Sequence, residues 1–106
     1  MSLKRFQFIK VTNNNDHKEF YVDITTMKDA RLRISALKAQ YKKYINDGKN
    51  FKPIFKYFNL DYSFCVLERG DYEKYEDVKS RRDELYLKYR EKLSLSCLDE
   101  SIHNIN

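Results

Sequence analysis

Apolar residues along the chain follow two different periods, and the change of period divides the sequence into elements. The segment "RFQFIKV" (5–11) has an extended pattern with apolar side chains on both faces. The segment "EFYVDIT" (19–25) is also strand-like and follows a cluster of turn-forming residues, "NNNDHK". These two segments predict a β-hairpin. A third strand is predicted at 61–70, "DYSFCVLERG", which alternates and is rich in β-forming residues.

After the hairpin, apolar residues recur at steps of three and four, which is the period of an α-helix. The apolar stripe of this stretch consists of Met27, Ala30, Ile34, Leu37, Tyr41 and either Tyr44 or Ile45. We predict a helix over 27–46. Thr26 and Asp29 provide its N-terminal cap and acidic first turn, and Gly48 ends it.

Two further helices are predicted. A short aromatic helix begins at Pro53, because proline suits the first turn of a helix. A charged helix covers 74–92, and its core face consists of Tyr75, Val78, Leu85, Tyr89 and Leu93. Arg82 stands where the next apolar residue of this face is due. Either its side chain reaches solvent or a carboxylate such as Glu68 or Asp23, or the helix lines a cleft at this point.

This order of elements predicts an α+β fold, with a three-stranded antiparallel sheet flanked by helices in the order ββααβα. We expect a single domain over residues 1–93, followed by a C-terminal tail over 94–106. The side chains expected to be buried are those of Ile34, Leu37, Tyr41, Val66, Val78 and Leu85.

Composition narrows the classes of function. The formal net charge of +5 permits a polyanionic partner without requiring one. With two glycines, the 106-residue chain has no glycine-rich phosphate loop. Signal-peptide and membrane-span patterns are also absent from the sequence, so we expect an intracellular protein with reduced cysteines and no membrane partner.

Three segments occur in an order shared with a known family. "EFYVDITT" is similar to the Tyr-aliphatic-Gly strand signature of the GIY-YIG nuclease domain, and "RLRISALKAQYKKY" to the basic helix that follows it. "CVLERGDYEKYEDVKSRRDELYLKY" is similar to the third strand and last helix of that domain. Nearly the whole chain therefore resembles this family, particularly its compact forms in large DNA viruses. The resemblance implies a site where two tyrosines, an arginine and a metal-binding glutamate surround a scissile phosphate.

The resemblance assigns roles to particular positions. Tyr21 stands at the second tyrosine and Arg33 at the arginine, with Arg31 as a competitor for that place. Phe8 stands in the register of the first tyrosine and lacks its hydroxyl. Asp23 replaces the glycine, which adds negative charge where phosphate would lie. Arg82 stands at the metal-binding glutamate, where a cation would repel a divalent metal.

These departures predict a catalytically degenerate GIY-YIG-like domain without a cofactor, acting as a structural or protein-binding component, with a viral particle as one candidate location. One alternative is an active endonuclease that uses Tyr21, Arg33 and Asp83 with Mg²⁺. Another is a non-cleaving module with weak binding to nucleic acid. For that module, the candidate phosphate-binding residues of the first helix are Arg31, Lys38, Lys42 and Lys43.

Overall fold

A computed structural model describes residues 2–91 of the chain. Its elements are β1 (Lys4–Asn13), β2 (Asp16–Thr25), α1 (Ala30–Asp47), a 3-10 helix (Pro53–Asn59), β3 (Tyr62–Tyr72) and α2 (Tyr75–Glu91). The predicted α+β class and element order are confirmed, and the short helix at Pro53 is of the 3-10 type. The expected domain boundary at 93 and the tail over 94–106 lie outside the described residues.

The three strands form one antiparallel sheet in the order β2-β1-β3, so β1 is central and pairs with both neighbours. Pairing of β1 with β3 shifts between Phe8 and Ile9, whose partners are Glu68 and Val66. Leu67 is therefore the extra residue of a β-bulge, which changes the face that the rest of β3 presents. In this sheet β2 is an edge strand.

Alternation along the strands divides the apolar side chains into two cores, one on each face of the sheet. On the first face, Ile9 and Val11 of β1 pack in a cluster with α1 and the 3-10 helix. On the second face, Phe6 and Phe8 pack in a cluster with α2. The face to which a strand residue belongs therefore decides which helix it can contact. Burial of one such large apolar side chain contributes roughly 2 kcal/mol to the free energy of unfolding.

Helix α1 begins later than the sequence predicted. The N-cap is Asp29, whose Oδ1 accepts a hydrogen bond from the backbone N–H of Arg31 at 2.9 Å. Thr26, the predicted cap, lies in the connection between β2 and α1. The predicted stop at Gly48 is confirmed: this residue has a left-handed φ of 72° and its N–H donates to the carbonyl of Tyr44 at 2.7 Å.

The predicted core positions are nearly all confirmed. The buried ones are Ile34, Leu37, Val66, Val78 and Leu85, and Tyr41 is half-buried. Cys65 is disulfide-bonded, so the expectation of a reduced thiol is wrong for this residue. Within residues 2–91, no helix is long and apolar enough to cross a membrane.

Candidate functional site

A pocket of about 210 Å³ lies at the β2 edge of the sheet, where α1, the start of the 3-10 helix and α2 meet. We call it the edge pocket. Its polar and charged lining residues are Tyr21, Asp23, Arg33, Lys52, Tyr75 and Arg82. The structure therefore brings together four positions that the resemblance singled out from distant parts of the sequence: Tyr21, Asp23, Arg33 and Arg82.

Local structure explains how β2 and α1 place their residues in this pocket. Tyr21 and Asp23 are two positions apart on an extended strand, so both side chains project from the same face. The connection to α1 is held by the side chain of Gln7, whose Nε2 donates to the carbonyls of Met27 and Lys28 at 2.6 and 2.7 Å. This anchored connection positions the first turn of α1, and with it Arg33.

Asp23 and Arg33 form a bidentate ion pair. Arg33 donates from Nε to Asp23 Oδ2 at 2.8 Å and from Nη2 to Oδ1 at 3.2 Å. The side chain of Asp23 is 8% exposed and that of Arg33 is 22% exposed, so water screens the pair weakly. Donation of these hydrogen bonds to Asp23 raises the pKa of Arg33. The charge of Arg33 is thus already engaged by a carboxylate of the same chain.

Tyr21 is half-buried beside this pair. Burial raises the pKa of its hydroxyl, and so does the negative charge of Asp23, whereas Arg82 and Arg33 act in the opposite direction. The phenol therefore stays protonated at neutral pH. It can donate a hydrogen bond to an anion, but it does not supply a phenolate base.

The two neighbouring residues Arg82 and Asp83 of α2 lie in different environments. Arg82 lines the edge pocket, as the cleft interpretation of its irregular position expected. Asp83 does not line it: its side chain is 69% exposed and accepts from Arg82 Nη2 at 3.3 Å. Arg81, the residue before, pairs with Glu68 instead. Of the three residues of the endonuclease alternative, the edge pocket thus gathers Tyr21 and Arg33 but not Asp83.

Phe8 does not line the edge pocket, because its side chain packs on the other face of the sheet. It pairs with Ile24 across β1 and β2, is fully buried, and packs edge-on against Tyr72 with ring centroids 6.1 Å apart. The β1 residue opposite Asp23 is Ile9. Assignment of Phe8 to the register of the first tyrosine implies a place in the same site as Tyr21, and the structure does not place it there.

The basic residues proposed for nucleic acid lie on different sides of α1. Arg31, Lys38 and Lys42 are spaced by seven and four residues, so they share one flank, and Arg33 lies about 200° further around the helix than Arg31. Lys43 instead lines a second cleft of about 340 Å³. The residues of this lysine cleft are Gln40, Lys43, Tyr44, Lys49, Asn50 and Lys52. Lys52 lines both the lysine cleft and the edge pocket.

Sequence reasoning missed Lys52 and Tyr75. Tyr75 was placed on the core face of α2, but it is 52% exposed and lines the edge pocket. It stands at the first position of α2, where a helical apolar period does not distinguish a core residue from one at the rim. Lys52 carried no signal in the sequence, since its place depends on how the loop after Gly48 folds back.

The edge pocket contains more positive than negative charge. Arg33, Arg82 and Lys52 face a single carboxylate, that of Asp23. Lys52 Nζ also donates to Gln40 Oε1 at 2.6 Å. Among residues 2–91, no three histidine, cysteine, aspartate or glutamate side chains are grouped so that they could hold a metal ion.

Comparison of the chain with protein-family models, with curated proteins and with solved structures finds no match to any of them. Membership of the GIY-YIG family therefore stays a hypothesis, which depends on the residues of this chain alone.

Proposed function

We propose that this protein is a non-cleaving, GIY-YIG-like domain that acts as a binding or structural component. The observation that carries the proposal is the bidentate Asp23–Arg33 pair, which occupies the place where the resemblance would put a free arginine and a glycine. An incoming phosphate would meet a carboxylate and an arginine whose charge is already engaged. Removal of one partner from a buried pair costs about 3 kcal/mol or more, and a phosphate that bound Arg33 would leave Asp23 without that partner.

Arg82 adds a second argument. The resemblance places a metal-binding glutamate at this position, and here a guanidinium lines the pocket beside Lys52. Two positively charged side chains repel a divalent metal ion and so raise the electrostatic cost of binding it in this pocket. Loss of one positioned group at a phosphate-cleaving site typically lowers the rate by about a hundredfold or more, and this site lacks several.

The test is incubation of the purified protein with duplex and branched DNA in Mg²⁺ or Mn²⁺, beside an Asp83→Ala variant. We expect no cutting by either protein. Cutting by the parent that Asp83→Ala abolishes would overturn the proposal in favour of the active endonuclease. Cutting that both proteins share would also overturn it, but without a role for Asp83.

A second candidate function is non-cleaving, salt-sensitive binding of single-stranded nucleic acid. The observation that favours it is the lysine cleft, in which Lys43, Lys49 and Lys52 face no lining carboxylate. The exposed ring of Phe51 lies at the same loop, 5.5 Å from that of Tyr44. A cationic groove next to an exposed aromatic ring is the arrangement by which proteins hold single strands, with phosphates on cations and bases on rings.

Location and protein partners stay predictions. We retain an intracellular protein without a membrane partner as the working hypothesis, and a place in a viral particle finds no support in the structure. The disulfide at Cys65 is more typical of an oxidising compartment than of a reducing one. Alkylation of the native protein without reductant, followed by mass spectrometry of the Cys65 peptide, tests this: a modified Cys65 would favour the reducing compartment.

A further inference from the structure

A larger cleft, of about 520 Å³, lies at the other end of the β2–α1 connection, beside the start of β1 and the last residues of β3. Its lining residues are Lys4, Arg5, Gln7, Thr26, Lys28 and Arg69. We call it the N-terminal cleft, and it shares no lining residue with the edge pocket. We propose that the N-terminal cleft binds the terminal phosphate or pyrophosphate group of a small molecule.

The floor of this cleft is built around a buried amide. Gln7 is 3% exposed, and its Nε2 is fully used by the carbonyls of Met27 and Lys28. Its Oε1 accepts from Arg69 Nε at 3.1 Å, which orients the guanidinium. Within the described part of the chain, no other hydrogen bond to Arg69 is found, so its remaining N–H groups are available to a ligand. Such preorganisation lowers the entropy cost of binding an anion.

The charges of the cleft are unbalanced. Arg5 is engaged by Asp71, with Nε to Oδ1 at 2.8 Å. Lys4, Lys28 and Arg69 form no ion pair with any carboxylate among residues 2–91. No carboxylate lines the cleft either. Three cations that line one cleft without a counter-charge repel one another, and a bound polyanion relieves that repulsion.

The lining also indicates which anion fits. A terminal phosphate or pyrophosphate carries two or more negative charges, which suits three unpaired cations better than the single charge of a carboxylate or phosphodiester. Thr26 adds a hydroxyl donor, and arginine presents paired N–H groups to phosphate oxygens. No aromatic side chain lines the cleft, so it has no platform for stacking a base. The group recognised is therefore the phosphate itself.

Titration of pyrophosphate into the 106-residue protein, measured by isothermal titration calorimetry at low salt, tests the proposal. We expect saturable binding that Arg69→Gln weakens at least about tenfold, because charge-assisted hydrogen bonds are lost. Lys28→Gln should weaken it in the same direction. Lys18→Gln is the matched control: it removes the same charge from an exposed residue at the far end of the hairpin and should change affinity less than twofold.

A thermal melt of each variant checks that the fold is intact. The variant Arg69→Lys keeps the positive charge but loses the Nε contact with Gln7. Its affinity for pyrophosphate should therefore lie between those of the parent and Arg69→Gln.

Absence of pyrophosphate binding by the parent would overturn the proposal. Equal weakening by Lys18→Gln would also overturn it, since only overall charge would then matter. A short oligonucleotide distinguishes the remaining source of phosphate: if Arg69→Gln weakens its binding equally with and without a 5′-phosphate, the cleft binds nucleic-acid diesters and the proposal is overturned. None of these three outcomes depends on whether the edge pocket is catalytic.

Discussion

At the scale of single residues, the edge pocket is organised by the bidentate ion pair between Asp23 of β2 and Arg33 of α1. Tyr21, Asp23, Arg33 and Arg82 were all singled out from the sequence, and all four line the edge pocket. The bidentate pairing of Asp23 with Arg33 was not predicted. The pair joins β2 to α1, and the Gln7 hydrogen bonds hold the connection between these two elements.

The first prediction concerns this ion pair. Arg33→Met leaves the buried carboxylate of Asp23 without a partner, so the free energy of unfolding should fall by about 3 kcal/mol. The double variant Asp23→Val/Arg33→Met removes both charges and should recover much of that loss. Urea denaturation of the parent, both single variants and the double variant measures the coupling.

Arg5→Met is a matched control for these four proteins. It breaks the exposed ion pair with Asp71 and should change the free energy of unfolding little. Losses at Asp23 and Arg33 that simply add would contradict the prediction. Additivity would mean that the two charges are solvated separately in solution.

At the scale of elements, the sequence predicted which helices and strands exist better than where they begin. Both Thr26 and Asp29 are good capping residues, and the pattern alone favoured the earlier one. The structure uses Asp29 because residues 25–28 are held in a turn: Thr25 Oγ1 accepts from the N–H of Met27 at 3.0 Å, and Gln7 binds the next two carbonyls. A side chain distant in sequence thus decides the helix boundary.

The second prediction tests that boundary. Asp29→Ala removes the hydrogen bond to the N–H of Arg31 and should lower the free energy of unfolding by about 1 kcal/mol. Thr26→Ala should have a much smaller effect, because Thr26 does not cap α1. Chemical denaturation of the two variants distinguishes the cases, and a larger loss for Thr26→Ala would place the helix start where the sequence pattern put it.

The third prediction concerns the contact between β3 and α2. Arg81 donates to Glu68 from Nε at 2.8 Å and from Nη2 at 2.6 Å. These hydrogen bonds lower the pKa of Glu68 below its usual value. A carboxyl whose pKa is lowered on folding stabilises the protein above its unfolded pKa, and that contribution is lost as the pH falls through the folded pKa.

Glu68→Gln should therefore cost about 1 kcal/mol at pH 7, and the difference from the parent should shrink as the pH falls below about 4. Urea denaturation of parent and variant between pH 7 and pH 2.5 measures it. Glu84→Gln serves as the control, because Glu84 is more exposed and lies 3.7 Å from Arg81. A cost for Glu68→Gln that stays constant over this range would contradict a role for its charge.

At the scale of the whole molecule, the architecture followed from the sequence, but the assignment of faces did not. Order and type of elements came from apolar periods, and these predicted the three-stranded sheet with its helices. Strand β1 is apolar on both faces, so its sequence does not indicate which residues face α1. Phe8 was accordingly assigned to the register of the first tyrosine, although it packs against α2. The same ambiguity applies to any central strand that is covered on both sides.

The last prediction concerns nucleic acid, and it distinguishes two basic surfaces that the sequence alone treats as one. The flank of α1 carries Arg31, Lys38 and Lys42, and the lysine cleft carries Lys43, Lys49 and Lys52. We expect weak binding of single-stranded DNA whose affinity falls steeply with salt, because phosphate contacts release counterions. Replacing all three lysines of the cleft by glutamine should weaken binding and reduce the magnitude of the salt slope by about two, at roughly 0.7 per lost contact.

The matched control is the triple glutamine variant of Arg31, Lys38 and Lys42, which removes the same charge and should reduce the slope less. Phe51→Ala, at the exposed ring beside the cleft, should weaken binding by about tenfold without changing the slope, since stacking releases no counterions. Fluorescence anisotropy with a labelled oligonucleotide at several salt concentrations measures both quantities. Equal salt slopes for the two triple variants would mean that binding depends on net charge rather than on the lysine cleft. Tight binding by the parent that does not change with salt would contradict binding through phosphate contacts.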